Sequence, residues 1–238
     1  MAINEVTMKI GILLTGHAIK EIQQTLGDYD KMFARLLGDR QFEFQTYAVV
    51  DEHYPERPDE CDGWLITGSR HGAYEDHPWI APLEQFIRDA FKMKRPMIGV
   101  CFGHQIIAQA LGGKVVKFNG GWTIGHTEYI LEGNRVNLNA WHQDQVIEYP
   151  PMAKLVGTAE NCANAALLYD NCFYTIQPHP EFSSDVIKTL IDLRGKGLVP
   201  DEILAEASSN LNKPINNREF SEQMANFFLQ RYPRNVIA

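Results

Sequence analysis

Cys101 sits between two glycines in Gly99-Val-Cys101-Phe-Gly103, after the apolar run Met97 to Val100 and before Ile106, Ile107, Ala110 and Leu111 at helical spacing. This is a Gly-x-nucleophile-x-Gly elbow, a sharp strand-to-helix turn with a thiol where a hydrolase would carry serine. A helix N-terminus lowers a thiol pKa and offers free N–H groups to a developing oxyanion, which makes Cys101 the candidate nucleophile. Such a nucleophile needs a base to form thiolate and later to protonate the leaving group, and the base needs an orienting partner. Gln177-Pro-His179-Pro-Glu181 offers both. Extended geometry at i and i+2 would put His179 and Glu181 on one side, with one imidazole nitrogen toward the carboxylate and the other toward Cys101. His104, three residues into the elbow helix, points away from the thiol and is read as a packing residue. His71-Gly-Ala-Tyr-Glu-Asp-His77 has metal-ligand residue types without a further cluster at defined spacing, so it is read as a structural or active-site-rim segment and no metal is assigned.

The surrounding pattern must bring these segments together. Met8 to Leu14 reads as a buried strand ending at Thr15-Gly16, followed by a polar segment. A helix starts at Asp28 or Asp30, presents Met32, Phe33, Leu36 and Leu37 on one face, and stops at Gly38. Strands are expected over Phe42 to Val50 and Gly63 to Thr67, the latter closing on Gly68-Ser-Arg-His-Gly72, and a helix over Trp79 to Met93 with Pro82 in its first turn. Shorter β pieces follow the elbow helix near Lys114 to Lys117, Thr127 to Leu131, Arg135 to Asn139 and Lys154 to Thr158. Ala165 to Tyr169 and Cys172 to Ile176 flank Asp170-Asn171 as a hairpin. Ser183 or Ser184 caps a helix carrying Val186, Ile187, Leu190 and Ile191, and two more helical patterns lie around Pro214. The expectation is an α/β fold, three layers around a mainly parallel sheet with a small antiparallel β insertion. Loops after Thr67, at Cys101 and after Ile176 then meet at the carboxyl ends of the strands.

Composition narrows the function classes. The 238 residues are 45% hydrophobic with a net charge of −8, which argues against a nucleic-acid surface and for a small molecule or a protein as partner. Cys61, Cys101, Cys162 and Cys172 show no metal-type spacing and are read as reduced thiols. The N-terminal Met-Ala-Ile-Asn-Glu-Val-Thr has no leader pattern and no run is long enough to span a bilayer, so a cytoplasmic location and no membrane association are expected.

Gly99-Val-Cys101-Phe-Gly-His-Gln105 together with Pro178-His-Pro-Glu181 resembles the signature pair of the class I, or triad, glutamine amidotransferases. The likeness runs from roughly residue 8 to 195 and is nearest to the glutamine-hydrolysing half of GMP synthase and its stand-alone relatives, including gamma-glutamyl peptidases. It implies a flavodoxin-like α/β/α domain over 1–195, with 196–238 as a C-terminal helical extension packed on it. It also implies that Cys101 attacks the side-chain amide of glutamine, or another gamma-glutamyl bond, to form a thioester. His179 would protonate the departing ammonia or amine and then activate water, with Glu181 holding its tautomer. The Phe102 N–H and a donor from the Gly68-Ser69 loop would meet the oxyanion, each such donor being worth about 3 to 4 kcal/mol. Gln105 matches a substrate-contacting position, and His142 and Gln143 fall in a turn near the substrate's amino-acid end.

No cofactor is implied. About 57 residues follow Glu181, too few for an ammonia-consuming synthetase domain, so either a separate synthetase subunit receives the ammonia or the chain is a hydrolase acting alone, in a homo-oligomer or not. A gamma-glutamyl peptidase is the alternative, and a non-catalytic binding or regulatory module the second. Two departures leave the substrate open: Gly68-Ser69-Arg70 stands where the family commonly has Gly-Gly-Pro, and Trp141 and Gln143 flank His142 where the family has a His-Gly-Asp-type turn.

Overall fold

The computed structural model describes residues 7–38 and 41–231. The N-terminal stretch read above for a leader lies almost wholly outside them, as do the last seven residues of the expected extension 196–238. Eleven strands and seven α-helices are formed, in the order β1 (Met8–Leu13), α1 (Lys20–Leu26), α2 (Tyr29–Leu37), β2 (Phe42–Tyr47), β3 (Gly63–Ile66), α3 (Ile80–Lys92), β4 (Met97–Val100), α4 (Phe102–Ala110), β5 (Lys114–Lys117), β6 (Thr123–Leu131), β7 (Asn134–His142), β8 (Asp144–Glu148), β9 (Ala153–Ala159), β10 (Cys162–Tyr169), β11 (Phe173–Ile176), α5 (Ser184–Leu190), α6 (Asp201–Ser209) and α7 (Asn217–Arg231).

Nine strands form one sheet in the order β2-β1-β3-β4-β11-β10-β9-β6-β7. From β2 to β11 every pairing is parallel, and β1, β3, β4 and β11 are buried along most of their length because helices cover both faces, while the edge strand β2 alternates. Beyond β11 the pairings turn antiparallel, so the late β segments continue the main sheet, while β5 and β8 make a separate two-stranded ribbon against α4. The switch between the two halves is the β10–β11 hairpin, where Asp170 and Asn171 both take positive φ, 47° and 53°, the conformation a two-residue turn of this hand demands.

The layers follow from amphipathic stripes. On one face α3 and α4 bury Leu83, Ile87, Phe102, Ile106 and Ile107 against Trp64 and Phe173. A Cβ at Gly11 would lie 2.2 Å from the Trp64 ring, so the glycine makes room for the largest buried side chain. On the other face α2 and α7 bury Phe33, Leu37, Phe220, Met224 and Phe228 against β1, β3 and β4. A third cluster lies under α1, α5 and α6, with Ile22, Val186, Ile187, Leu204 and Ala207 packed around Ile124. Asp28 caps α2 by accepting from the Tyr29 N–H, and Gly38 closes it at φ 66°. Ser183 caps α5 through the Val186 N–H.

Three expectations shift. The polar segment after β1 contains α1, and β8 forms between β7 and β9 where no strand was expected. The strand expected over Phe42 to Val50 ends at Tyr47 because Val49–Asp51 turns into a 3-10 helix. No described helix is long and apolar enough to cross a membrane.

Candidate active site

Cys101 joins β4 to α4 at φ 52° and ψ −102°, a conformation that costs a non-glycine residue about 1 to 3 kcal/mol and recurs where a side chain must be held out at the tip of a turn. The neighbouring glycines are required by contact. A Cβ at Gly99 would lie 2.5 Å from the Gly103 carbonyl oxygen, and one at Gly103 would lie 2.4 Å from that of Ile66. The Cys101 N–H donates to Ile176 O at 2.8 Å, tying the elbow to the end of β11, the strand that leads to His179. Phe102 opens α4, so its N–H lies ahead of the intrahelical ladder. Cys101 itself is buried, as are Cys61, Cys162 and Cys172, and none of the four is in a disulfide.

His179 is placed by two backbone ties. Its N–H donates to Asn139 O at 2.8 Å in an isolated bridge to β7, and Phe182 N–H donates back to His179 O at 3.3 Å. The second tie makes 179–182 a turn, so the nearness of His179 and Glu181 comes from a reversal of the chain and not from the extended geometry expected at i and i+2. The result is the same juxtaposition: Nδ1 of His179 lies 2.7 Å from Glu181 Oε1, with both side chains buried. The Phe182 ring stacks on the imidazole at 4.0 Å and 3°, and Cys101 lies close enough to act on the charge of the ring. Burial acts to lower the imidazole pKa, but the Glu181 carboxylate and then Cys101 outweigh it and push it up to about 10. Glu181 Oε2 is buried and has no protein partner among the described residues.

The loop after β3 reaches the same place. A Cβ on Gly68 would lie 2.8 Å from His179 Cε1, so the imidazole edge packs directly over that glycine. Ser69 Oγ donates to Thr15 O at 2.8 Å and accepts from the His71 N–H at 3.1 Å. Below it, Thr15 Oγ1 donates to the Thr67 and Gly68 carbonyls, and Thr67 Oγ1 accepts from the Thr15 N–H. These hydroxyl ties fix the loop where Arg70 stands in place of a proline.

The remaining expected residues divide. Gln105 Nε2 donates to Asp144 O at 2.8 Å and to Gln177 Oε1 at 3.2 Å, so its amide joins α4 to β8 and to the end of β11. His142 is buried at the end of β7, and burial, followed by the charge of His179, pushes its pKa down to about 3, leaving a neutral ring. Gln143, between β7 and β8, exchanges contacts with Phe118, accepting from its N–H at 3.2 Å. His104 turns away from the thiol to Thr175 Oγ1 at 2.8 Å, and burial pushes it to about 3 as well. Two residues at the site escaped the sequence reading. Gln177 donates to Cys101 Sγ at 3.6 Å, and its place directly after a strand was the available signal; Asn139, which holds His179 by its carbonyl and Phe182 O by its side chain, carried none.

A thiol at a strained elbow, an imidazole beside it and a carboxylate behind the imidazole can perform acyl transfer by covalent catalysis. Comparison with known proteins accords with that chemistry. A model of the family "Glutamine amidotransferase class-I" matches residues 26–191. Gamma-glutamyl peptidase 4 of Arabidopsis thaliana is 31% identical over 232 residues, covering 90% of this chain and 92% of its own. A GMP synthase (glutamine-hydrolysing) of Bordetella avium is 25% identical over 226 residues, 81% of this chain but 41% of that protein. Among solved structures, a glutamine amido transferase from Methylobacillus flagellatus superposes with a TM-score of 0.74 at 21% identity, covering 97% of this chain and 96% of its own, which shows a shared fold. The chain belongs to the class I glutamine amidotransferase family.

Proposed function

We propose that this chain hydrolyses gamma-glutamyl amide bonds, with Cys101 as nucleophile, His179 as acid and base, and Glu181 as the group that orients His179. The observation that carries the reading is the buried Glu181–His179 pair under the Phe182 ring, set beside Cys101 at the elbow. Glu181 favours the charged form of His179, so the imidazole can hold the proton that the Cys101 thiol gives up. The thiolate adds to the gamma-carbonyl, and the Phe102 and Ser69 N–H groups receive the oxyanion. As the intermediate collapses the C–N bond breaks and His179 gives its proton to the leaving nitrogen. Water then adds to the thioester as His179 takes one of its protons, and glutamate leaves while the proton returns to regenerate the pair. Gln105 supports the site through Asp144 and Gln177, and His142 and Gln143 border the substrate's amino-acid end.

The test is glutamate release by the purified protein from glutamine, glutathione and gamma-glutamyl amines. Cys101→Ala abolishes release; normal turnover by that variant overturns the nucleophile assignment.

A leaving group larger than ammonia is favoured by one observation. The Arabidopsis relative named a gamma-glutamyl peptidase is matched over nearly its whole length, whereas only 41% of the GMP synthase is. Faster turnover of glutathione than of glutamine is expected on this reading. The reverse preference supports the glutaminase reading, in which a separate synthetase subunit takes the ammonia. In either case residues 1–195 form the catalytic unit, and 196–238 act as an extension of it.

A further inference from the structure

Outside the Cys101 site, the turn between β3 and α3 gathers His71, Glu75 and His77, one ligand-type atom of each lying within 4.8 Å of the other two. An extended strand would put all three side chains on one face but too far apart to share an ion. They converge because the chain folds back on itself, with Glu75 N–H donating to Gly72 O at 3.0 Å and His77 N–H to Glu75 O at 3.1 Å. Glu75 Oε2 lies 3.3 Å from His71 Nδ1 and 2.6 Å from His77 Nε2. Ligands about 2.0 to 2.1 Å from a tetrahedral zinc ion stand about 3.3 to 3.4 Å apart. The His71 contact already has that spacing. The His77 contact must open by about 0.7 Å, and the half-exposed Glu75 side chain can supply it.

The two rings are held by a buried indole. Trp79 stacks on His77 at 5.9 Å and 10° and meets His71 edge-on at 5.8 Å, and on its other side it contacts Phe102 at 5.5 Å. Arg70 Nε lies 3.4 Å from His71 Nε2 and is exposed, so it can withdraw toward solvent as Nδ1 engages a cation.

We propose that His71, Glu75 and His77 form a three-ligand site for a divalent first-row cation, zinc above all, with the fourth position open to water. Two imidazoles and one carboxylate are a donor set that zinc accepts, and three protein ligands with an open position is a recurrent zinc geometry. The metal would fasten the loop that starts at Gly68-Ser69, with Trp79 linking the clamp to Phe102. The site stands independently of the Cys101 reading.

The test uses full-length Cys101→Ala, because the Cys101–His179 pair could itself capture zinc. After treatment with chelator, calorimetric titration with zinc chloride is expected to show one equivalent bound. Glu75→Gln and His77→Gln, each in that background, should weaken it by at least about tenfold, and Arg70→Ala should tighten it. Cobalt(II) should give the visible absorption of a four-coordinate site in Cys101→Ala and lose it in the ligand variants. Melting of each metal-free variant reports folding, and zinc should raise the midpoint of Cys101→Ala but not that of Cys101→Ala/Glu75→Gln. No uptake by Cys101→Ala at about 0.1 mM zinc, or equal affinity with and without Glu75, overturns the proposal.

Discussion

Gly68→Ala tests the site through space alone. Gly68 is not among the positive-φ residues, so alanine meets no backbone penalty there, and the added methyl acts on what it touches. Its Cβ would lie 2.8 Å from His179 Cε1, where ordinary contact begins near 3.4 Å, so the ring or the loop must yield by about 0.6 Å. The ring has little freedom to yield, because Phe182 stacks on it at 4.0 Å, Glu181 holds Nδ1 at 2.7 Å, and its backbone is bridged to Asn139. The loop is no freer, tied by Ser69 and the Thr15–Thr67 hydroxyls. A misplacement of about 1 Å at reacting groups costs about 100-fold in rate, so a kcat loss of about 10- to 100-fold is expected. Overpacking should cost about 1 to 3 kcal/mol of stability, which leaves a folded protein to assay. The assay is glutamate release at neutral pH from the best substrate of the panel, with the pH profile of Cys101 alkylation by iodoacetamide as a second readout that needs no substrate. If Gly68→Ala turns over within about twofold of wild type while its alkylation profile is unchanged, His179 does not act from the position described.

Glu181→Gln preserves shape and removes the charge that raises the His179 pKa. A fall in kcat of about 10³- to 10⁴-fold is expected, together with a lower apparent pKa for the imidazole in the alkylation profile; an unchanged profile would refute the electrostatic role. The charged His179 also has a stability signature. Its folded pKa, near 10, exceeds the 6.5 of an unperturbed ring, so its contribution is fully present below about pH 6.5 and is lost as pH rises through 10. Urea unfolding of wild type against His179→Gln should therefore give a difference that shrinks across that window; a difference that grows with pH would contradict the sign. Asp28→Ala removes the cap of α2 and the acceptor of the Ala18 N–H at 2.8 Å, so a loss of about 1 to 2 kcal/mol and a melting midpoint lower by about 2 to 8 °C are expected, with kcat unaffected.

What could be read from sequence was what is encoded locally. The elbow was legible because part of the restriction is steric and close by: Gly99 and Gly103 abut each other within one turn of chain. Helix α2 announced itself through Asp28 and Gly38, and the β10–β11 hairpin through Asp170-Asn171, since each signal acts within a few residues of the structure it makes. Helix α1 gave no such signal. It buries only Ile22 among its seven residues and has no side-chain cap, so it lacks the apolar stripe that identifies an amphipathic helix. Strand β8 follows β7 after a single residue and pairs with β5, thirty positions earlier, so its partner lies beyond any local window.

The same distinction runs through the site. That Cys101, His179 and Gly68 meet follows from parallel strands ending at one edge, which the alternation of strands and helices already implied. How they are held depends on contacts no spacing reveals. Asn139 sits on β7, at the far edge of the nine-stranded sheet from β2, yet its carbonyl receives the His179 N–H, which requires the antiparallel half to curl back over the ends of the parallel strands. This return explains why the late β segments belong to the site although they carry none of its reacting groups. They fix His179, bring His142 beside it, and through Gln105 and Asp144 join α4 to the ribbon below. Chemistry in this chain is set by a few short motifs at strand ends, and the long-range pairing of β6, β7 and β9 decides how rigidly those motifs face one another.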